Sequence, residues 1–103
     1  MKVYISGPMT GRPAFNFPAF FAAAETVRQQ GHEPLNPAEG VTELDRPWNW
    51  YMRRAIRLLL EADEIWMLAG WADSKGARLE RDLATRLGMQ VRYLNAVSVP
   101  VKR

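Results

Sequence analysis

The sequence predicts a single α/β domain built around a parallel sheet. Short apolar runs alternate with longer amphipathic segments in the order βαβαβαβ, and the run at 65–68, which reads IWML, is continuously apolar. Strands that alternate with helices form parallel sheets with right-handed crossovers. A continuously apolar strand is typical of a sheet that is covered on both faces. The length of 103 residues fits one domain rather than two.

Four strands are predicted where short apolar runs rich in β-forming residues end at turn residues. They are expected over residues 2–6, 32–35, 63–68 and 90–94. The first is followed by Gly7 and Pro8, which exclude continuation as helix or central strand. Asp63 opens the third strand and is interpreted as a structural cap, whereas Glu64 is expected to be solvated.

Three helices are predicted between the strands, over residues 18–30, 47–62 and 74–88. Asn16 and Ser74 are cap residues by type, and Gly31 ends the first helix. The first helix carries an apolar stripe at helical spacing, formed by Phe17, Phe20, Phe21, Ala24 and Val27. The stripe of the second helix is formed by Trp48, Met52, Ala55, Leu59 and Ala62.

Composition limits the cellular compartments and the kinds of cofactor that are expected for this protein. The chain has no cysteine, which excludes disulfides and fits a reducing compartment. No stretch approaches the ~20 apolar residues of a membrane span, and the apolar run at the N-terminus is too short for a signal peptide. We therefore expect a cytoplasmic protein without a membrane segment. We also expect no cofactor and no metal, because the sequence has no cluster of metal ligands.

The net charge of +3 comes from basic residues dispersed along the chain. A solvated basic surface accounts for it, an anionic small ligand comes next, and the dispersal argues against nucleic acid. The tight basic cluster is Arg53, Arg54 and Arg57, which follows the aromatic residues Trp48, Trp50 and Tyr51. Those aromatic residues are interpreted as core or interface, or alternatively as a wall on which a base stacks.

Ligands of parallel α/β sheets bind beyond the carboxyl ends of the strands, which directs attention to two loops. The loop at 7–12 reads GPMTGR. Its glycines allow a close backbone approach to a ligand, and Arg12 could hold a phosphate, although a structural turn and a surface arginine are the commoner explanations. The segment at 74–80 reads SKGARLE. Its helix start attracts anions, and Gly76 is expected to leave room for a ligand one turn before Glu80.

Glu80 is the most unusual residue by position. It interrupts the helical stripe formed by Ala77, Ala84 and Leu87, so its carboxylate must be paired or must open into a cavity. Such a group can act as a nucleophile or a general base. The alternative is a structural glutamate bonded to arginine or backbone. Tyr4, inside the first strand, is interpreted as a core tyrosine whose hydroxyl has one partner.

Two segments together give the chain a family likeness. Residues 4–11 read YISGPMTG and residues 70–77 read GWADSKGA, followed by Glu80. With these motifs the chain resembles the nucleoside 2-deoxyribosyltransferase superfamily, which includes the 2′-deoxynucleoside 5′-monophosphate N-glycosidases. Within it the likeness is greatest to an uncharacterised family of small bacterial and phage proteins. The likeness spans residues 2–94, so we expect a domain over 1–94 and a C-terminal tail over 95–103.

The resemblance implies a flavodoxin-like (Rossmann-like) three-layer sandwich with a four- to five-stranded parallel sheet. It also implies a homodimer or higher homo-oligomer that binds a nucleotide or nucleoside. Glu80 would be the nucleophile that attacks the anomeric carbon of deoxyribose, and Tyr4 would lie beside it. Ser74 stands where the monophosphate hydrolases bind phosphate. The other residues implied in substrate binding are Gly7, Pro8, Met9, Gly11, Arg12 and Gly76.

One position departs from the superfamily pattern. Its members commonly carry an aspartate eight residues before the aspartate that opens the third strand, and that acid protonates the departing base. Here the position is Ala55. Two further interpretations therefore stand beside an N-glycosidase or deoxyribosyltransferase. One is a non-catalytic nucleotide-binding module, and the other is an interaction protein whose helix segment 48–57 docks a partner.

Overall fold

The structure is a computed structural model and describes residues 1–95. Its sheet has four parallel strands in the order β2-β1-β3-β4. Their bounds are β1 Lys2–Ser6, β2 Glu33–Leu35, β3 Glu64–Met67 and β4 Gln90–Tyr93. The predicted α/β class with a parallel sheet is confirmed. Apart from Asn95, the predicted tail lies outside the described residues.

Three α-helices connect the strands, with bounds α1 Phe17–Gln29, α2 Trp48–Leu59 and α3 Lys75–Arg86. Two short 3₁₀ helices precede α1 and α3, at Pro13–Asn16 and Trp71–Asp73. The predicted helices match these within a few residues. The short helix at Pro13–Asn16 is irregular, since Ala14 and Phe15 have left-handed φ angles of 50° and 52°.

The helices cover the sheet on both faces and make three layers. Val3 and Ile5 of β1 face α1, and Tyr4 faces α2 and α3, because successive strand residues point to opposite faces. β1 lies between β2 and β3, with Tyr4 opposite Leu35 and Ile65. β1 is therefore buried from Val3 to Ser6, as its apolar run predicts, and only Lys2 at its start is exposed. The carboxyl ends of β1 and β3 meet at one edge, where the two conspicuous loops leave the sheet.

Some side chains of α1 lie differently from their predicted positions. Phe21 is 47% exposed, and Ala23 takes its place in the buried stripe beside Phe20. Asn16 occupies the N-cap position but makes no side-chain cap bond. Its own backbone is left-handed, with φ of 59°, which differs from the extended conformation typical of a capping residue.

Glu64 is the clearest correction among the charged residues. It was expected to be solvated, yet only 4% of it is exposed. Its Oε1 accepts hydrogen bonds from Trp66 Nε1 at 2.7 Å and from Arg92 Nε at 2.6 Å. A buried carboxylate is tolerated when donors satisfy it. Asp63, by contrast, is exposed and accepts the backbone N–H of Lys2 at 2.8 Å, in agreement with its predicted structural role.

Candidate active site

Glu80 lies buried on α3 between two hydroxyl groups of the central strand. Tyr4 donates its hydroxyl to Oε2 and Ser6 donates its hydroxyl to Oε1, each at 2.6 Å. Tyr4 and Ser6 are two residues apart on β1, so they point to the same face of the sheet, the face that α3 covers. Only 5% of Glu80 is exposed. Both carboxylate oxygens are therefore held in place from one strand.

The pKa values of both titratable groups in this cluster, Glu80 and Tyr4, are raised above their ordinary values. Burial raises the pKa of Glu80 to about 7, while the hydrogen bonds from Ser6 and then Tyr4 act in the opposite direction. Burial, followed by the neighbouring Glu80, raises the pKa of the Tyr4 hydroxyl well above its ordinary value. Near neutral pH the tyrosine is thus a hydrogen-bond donor, and the carboxyl exists in both protonation states.

Ser74 caps the N-terminus of α3, as predicted. Its Oγ accepts the backbone N–H of Ala77 at 3.2 Å, which is the geometry of an N-cap. Gly76 follows in the first turn, close to α2. A Cβ at this position would lie 2.9 Å from Sδ of Met52. The room that Gly76 was expected to leave for a ligand is partly taken by Met52, so the glycine also allows the two helices to approach.

A cavity of about 350 Å³ opens onto Glu80. This volume lies within the range of small-molecule sites. Among the predicted site residues, the cavity brings together Tyr4, Gly7, Met9, Ser74, Gly76 and Glu80. The rest of its wall is largely aromatic and aliphatic, from the start of α1, the segment 37–46 and α2.

Three predicted binding residues do not line this cavity: Pro8, Gly11 and Arg12. Pro8 is buried beneath the loop, and Gly11 has a φ of 77° that suits a turn. The guanidinium of Arg12 packs over Gly70, where an added Cβ would lie 2.6 Å from Nη2. The glycine at position 7 serves packing as well, because its Cβ would lie 2.7 Å from Cβ of Leu68.

Several cavity residues were not singled out from the sequence as site residues. Ser6 bonds to Glu80 without lining the cavity, and it could have been found because it follows Tyr4 at the strand period of two. Arg54 and Arg46 belong to the wall, and so do Trp48 and Tyr51, which the stacking-wall alternative had named. No local signal marks the segment 37–46 as a wall, since it has neither helical nor strand periodicity.

Ala55 also lines the cavity and is 8% exposed. The position that bears the acid in the superfamily thus faces the same space as Glu80. Among the described residues that line the cavity, Glu80 is the only carboxylate. In the described part of the chain no group of three or more acidic or histidine side chains could hold a metal ion. Within the same residues, no helix is long and apolar enough to cross a membrane.

Comparison with known proteins agrees with this architecture. The family model described as Domain of unknown function (DUF4406) matches residues 1–93. The chain belongs to this family. A search among curated proteins finds no match for this DUF4406 chain. Its structure is similar to that of a 2-deoxyribosyltransferase from the psychrotolerant bacterium Bacillus psychrosaccharolyticus, with a TM-score of 0.72 and 17% identity over 99% of this chain and 77% of that chain. The predicted deoxyribosyltransferase-like, flavodoxin-like fold is confirmed.

Proposed function

We propose that the protein cleaves the N-glycosidic bond of a deoxynucleoside 5′-monophosphate or deoxynucleoside, with Glu80 as the nucleophile. A single observation supports this most strongly. The Glu80 carboxyl is buried at a cavity of nucleotide size, and each of its oxygens accepts a hydroxyl hydrogen bond, from Tyr4 or Ser6. A carboxylate positioned in this way is the nucleophile of retaining glycosidases, where it forms a covalent glycosyl intermediate.

The chemistry requires two displacements at the anomeric carbon. In the first, an oxygen of ionised Glu80 forms a bond to C1′ while the bond from C1′ to the base nitrogen breaks and its electrons leave with the base. In the second, water attacks C1′, its oxygen replaces Glu80, and its proton is available to the departed base. The products are the free base and deoxyribose or its 5-phosphate. A second base in place of water would make the reaction a transfer.

Two parts of the cavity wall suit two parts of a nucleotide. Ser74 caps α3 and Gly76 lies in its first turn, where N–H groups without intrahelical partners attract phosphate. Tyr51 on α2 provides aromatic surface on which a base can stack, whereas Trp48 lies beside Gly76 and Lys75 at the start of α3. This arrangement favours a phosphorylated substrate whose sugar lies over Glu80.

A non-catalytic nucleotide-binding module is the second candidate, and Ala55 is the observation that favours it. General acid catalysis typically contributes ~100- to ~10,000-fold to a rate. Without a second carboxylate among the described lining residues, a good pocket could bind nucleotide and release base slowly or not at all. Thermal stabilisation by nucleotides without turnover is the expected result for this candidate.

The deciding experiment incubates the full chain with the four common deoxynucleosides and their 5′-monophosphates and measures free base by chromatography. Base release that disappears in Glu80→Gln and persists in Asp82→Asn supports the proposal. Asp82 is a matched control, because it is an exposed carboxylate on the same helix. Equal base release by Glu80→Gln and wild type, or none from any substrate, would contradict it. Adding a second free base distinguishes transfer from hydrolysis.

A further inference from the structure

Arg54 is a cation of the cavity wall that has no role in the two displacements proposed above. Its Nη1 donates to the carbonyl oxygen of Pro37 and its Nη2 to that of Glu39, both at 2.8 Å. These two bonds tie α2 to the segment after β2 and hold the guanidinium in one orientation. Because both acceptors are uncharged carbonyls, they leave the positive charge of Arg54 in place.

The other arginine of the wall differs in this respect. Arg46 donates to both carboxylate oxygens of Glu43, at 2.8 and 3.2 Å, and is neutralised by that pair. Among the described residues, Arg54 has no carboxylate within ion-pair distance, although it is only partly exposed. The positive charge of Arg54 also acts on Tyr4 at the centre of the site, where it opposes the rise in the pKa of the tyrosine hydroxyl.

The donors of Arg54 exceed the bonds it makes. A guanidinium has five N–H groups in a planar fork, and two of them are used on Pro37 and Glu39. Arg54 lies on α2 one turn after Tyr51, an aromatic residue that also lines the cavity, whereas Ser74 caps α3. A planar, donor-only group beside stacking surface is suited to the edge of a base that presents acceptors.

We propose that Arg54 reads the base and selects 6-oxopurines, whose O6 and N7 accept a bidentate arginine. This inference rests on the proposed function. Arginine pairs with O6 and N7 of guanine in the same way in DNA recognition, and adenine presents a donor amino group instead of O6. When the bond from C1′ to N9 breaks, its electron pair enters the purine. A fixed guanidinium at O6 and N7 stabilises that negative charge where Ala55 supplies no proton.

The test compares 2′-deoxyinosine 5′-monophosphate (dIMP) with 2′-deoxyadenosine 5′-monophosphate (dAMP). The two bases differ at position 6, where dIMP has the acceptor O6 and dAMP has a donor amino group. Calorimetry on the full chain carrying Glu80→Gln measures binding without turnover. We expect dIMP to bind about tenfold more tightly than dAMP, and Arg54→Met to reduce the two affinities to near equality. Arg54→Lys, which keeps the charge but loses the fork, should also lose the preference. Equal affinities with Arg54 present would overturn the inference.

Arg53→Met is the matched control, because Arg53 is the neighbouring exposed cation on α2 and does not line the cavity. It should leave the preference for dIMP unchanged. Comparison with 2′-deoxyinosine separates base from phosphate: a loss in Arg54→Met that falls on dIMP but spares the nucleoside would overturn the inference in favour of phosphate binding. A preference for dIMP without base release would support Arg54 and contradict the proposed catalysis. Base release without a preference for dIMP would support the proposed catalysis and contradict the inference about Arg54.

Discussion

The hydroxyl of Tyr4 donates to Oε2 of Glu80 at 2.6 Å across 76 residues of sequence. The bond joins the central strand to the helix that follows the third strand, in a place from which water is largely excluded. Tyr4 cannot release its proton there near neutral pH, since burial and the carboxyl both raise its pKa. It therefore acts as a fixed donor that orients one oxygen of Glu80 and leaves the chemistry to the carboxyl.

Glu80→Gln should stabilise the protein at alkaline pH. The pKa of Glu80 is about 7 in the folded state and 4.5 in an ordinary environment, so the folded state binds the proton more tightly. The contribution of Glu80 to wild-type stability is then greatest below about pH 4.5 and is lost as the pH rises through about 7. The variant avoids this loss, which amounts to about 3 kcal/mol at pH 8. Urea unfolding at about pH 5 and pH 8 measures the difference, and a gap that is the same at both would contradict the prediction.

Ser6→Ala and Tyr4→Phe should each move the acid limb of the pH–activity profile to higher pH. Glu80 must be ionised to act as a nucleophile, so activity is expected to rise with pH through about 7. Both hydroxyl bonds favour the carboxylate, and losing either one raises the pKa of Glu80. Rates of base release across the pH range measure the shift. Thr85→Val, which removes a hydroxyl bonded to the Arg81 carbonyl on the same helix, should leave the limb in place.

Ser74→Asp should change the preferred substrate from nucleotide to nucleoside. Aspartate is also a good N-cap, so α3 keeps its first-turn bond to the N–H of Ala77. Its negative charge at the cavity repels a 5′-phosphate but not a neutral nucleoside. The ratio of kcat/KM for a monophosphate to that for its nucleoside is expected to fall by about tenfold or more. Ser74→Asn, a cap without the charge, is the control, and a ratio that stays at the wild-type value in Ser74→Asp would refute a phosphate site here.

Ala55→Asp should increase base release if Glu80 is the nucleophile. The side chain at position 55 faces the cavity, so an aspartate there can give a proton to the departing base. General acid catalysis predicts a gain of about 100-fold or more. The gain should fall as the pH rises above the pKa of the introduced carboxyl, because the aspartate then has no proton to give. Ala55→Asn controls for size and polarity, and a similar gain from this variant would exclude acid catalysis as the cause.

Gly7→Ala should destabilise the fold without a change of charge. The added Cβ would lie 2.7 Å from Cβ of Leu68, an atom fixed to the backbone that cannot move aside easily. Overpacking of this kind typically costs about 1–3 kcal/mol. Chemical denaturation measures the loss, and Leu68→Ala in the same chain should recover part of it, because the two substitutions share one contact. Strict additivity of the two losses would show that the contact is not the cause.

The local elements were predictable because their signals are local. The apolar runs of β1 and β3, the Ser74 cap and the stop at Gly31 each depend on neighbours a few residues away. The burial of Glu64 was not predictable in this way. Its donors are Trp66 on its own strand and Arg92 on β4, and sequence periodicity does not indicate which strands become neighbours. The segment 37–46 forms a cavity wall for a reason of the same kind, since α2 and Arg54 hold it there.

By itself, the sequence determined the α/β class, the strand and helix order, and the anomaly of a carboxylate on an apolar helical stripe. These follow from periodicity and from turn and cap residues, which act over one or two helical turns. Only the tertiary structure decided what surrounds Glu80: two hydroxyls from β1, a cavity lined by α2, and the fixed cation Arg54. These contacts join residues distant in the chain, and they arise because the parallel sheet brings the carboxyl ends of β1 and β3 to one edge.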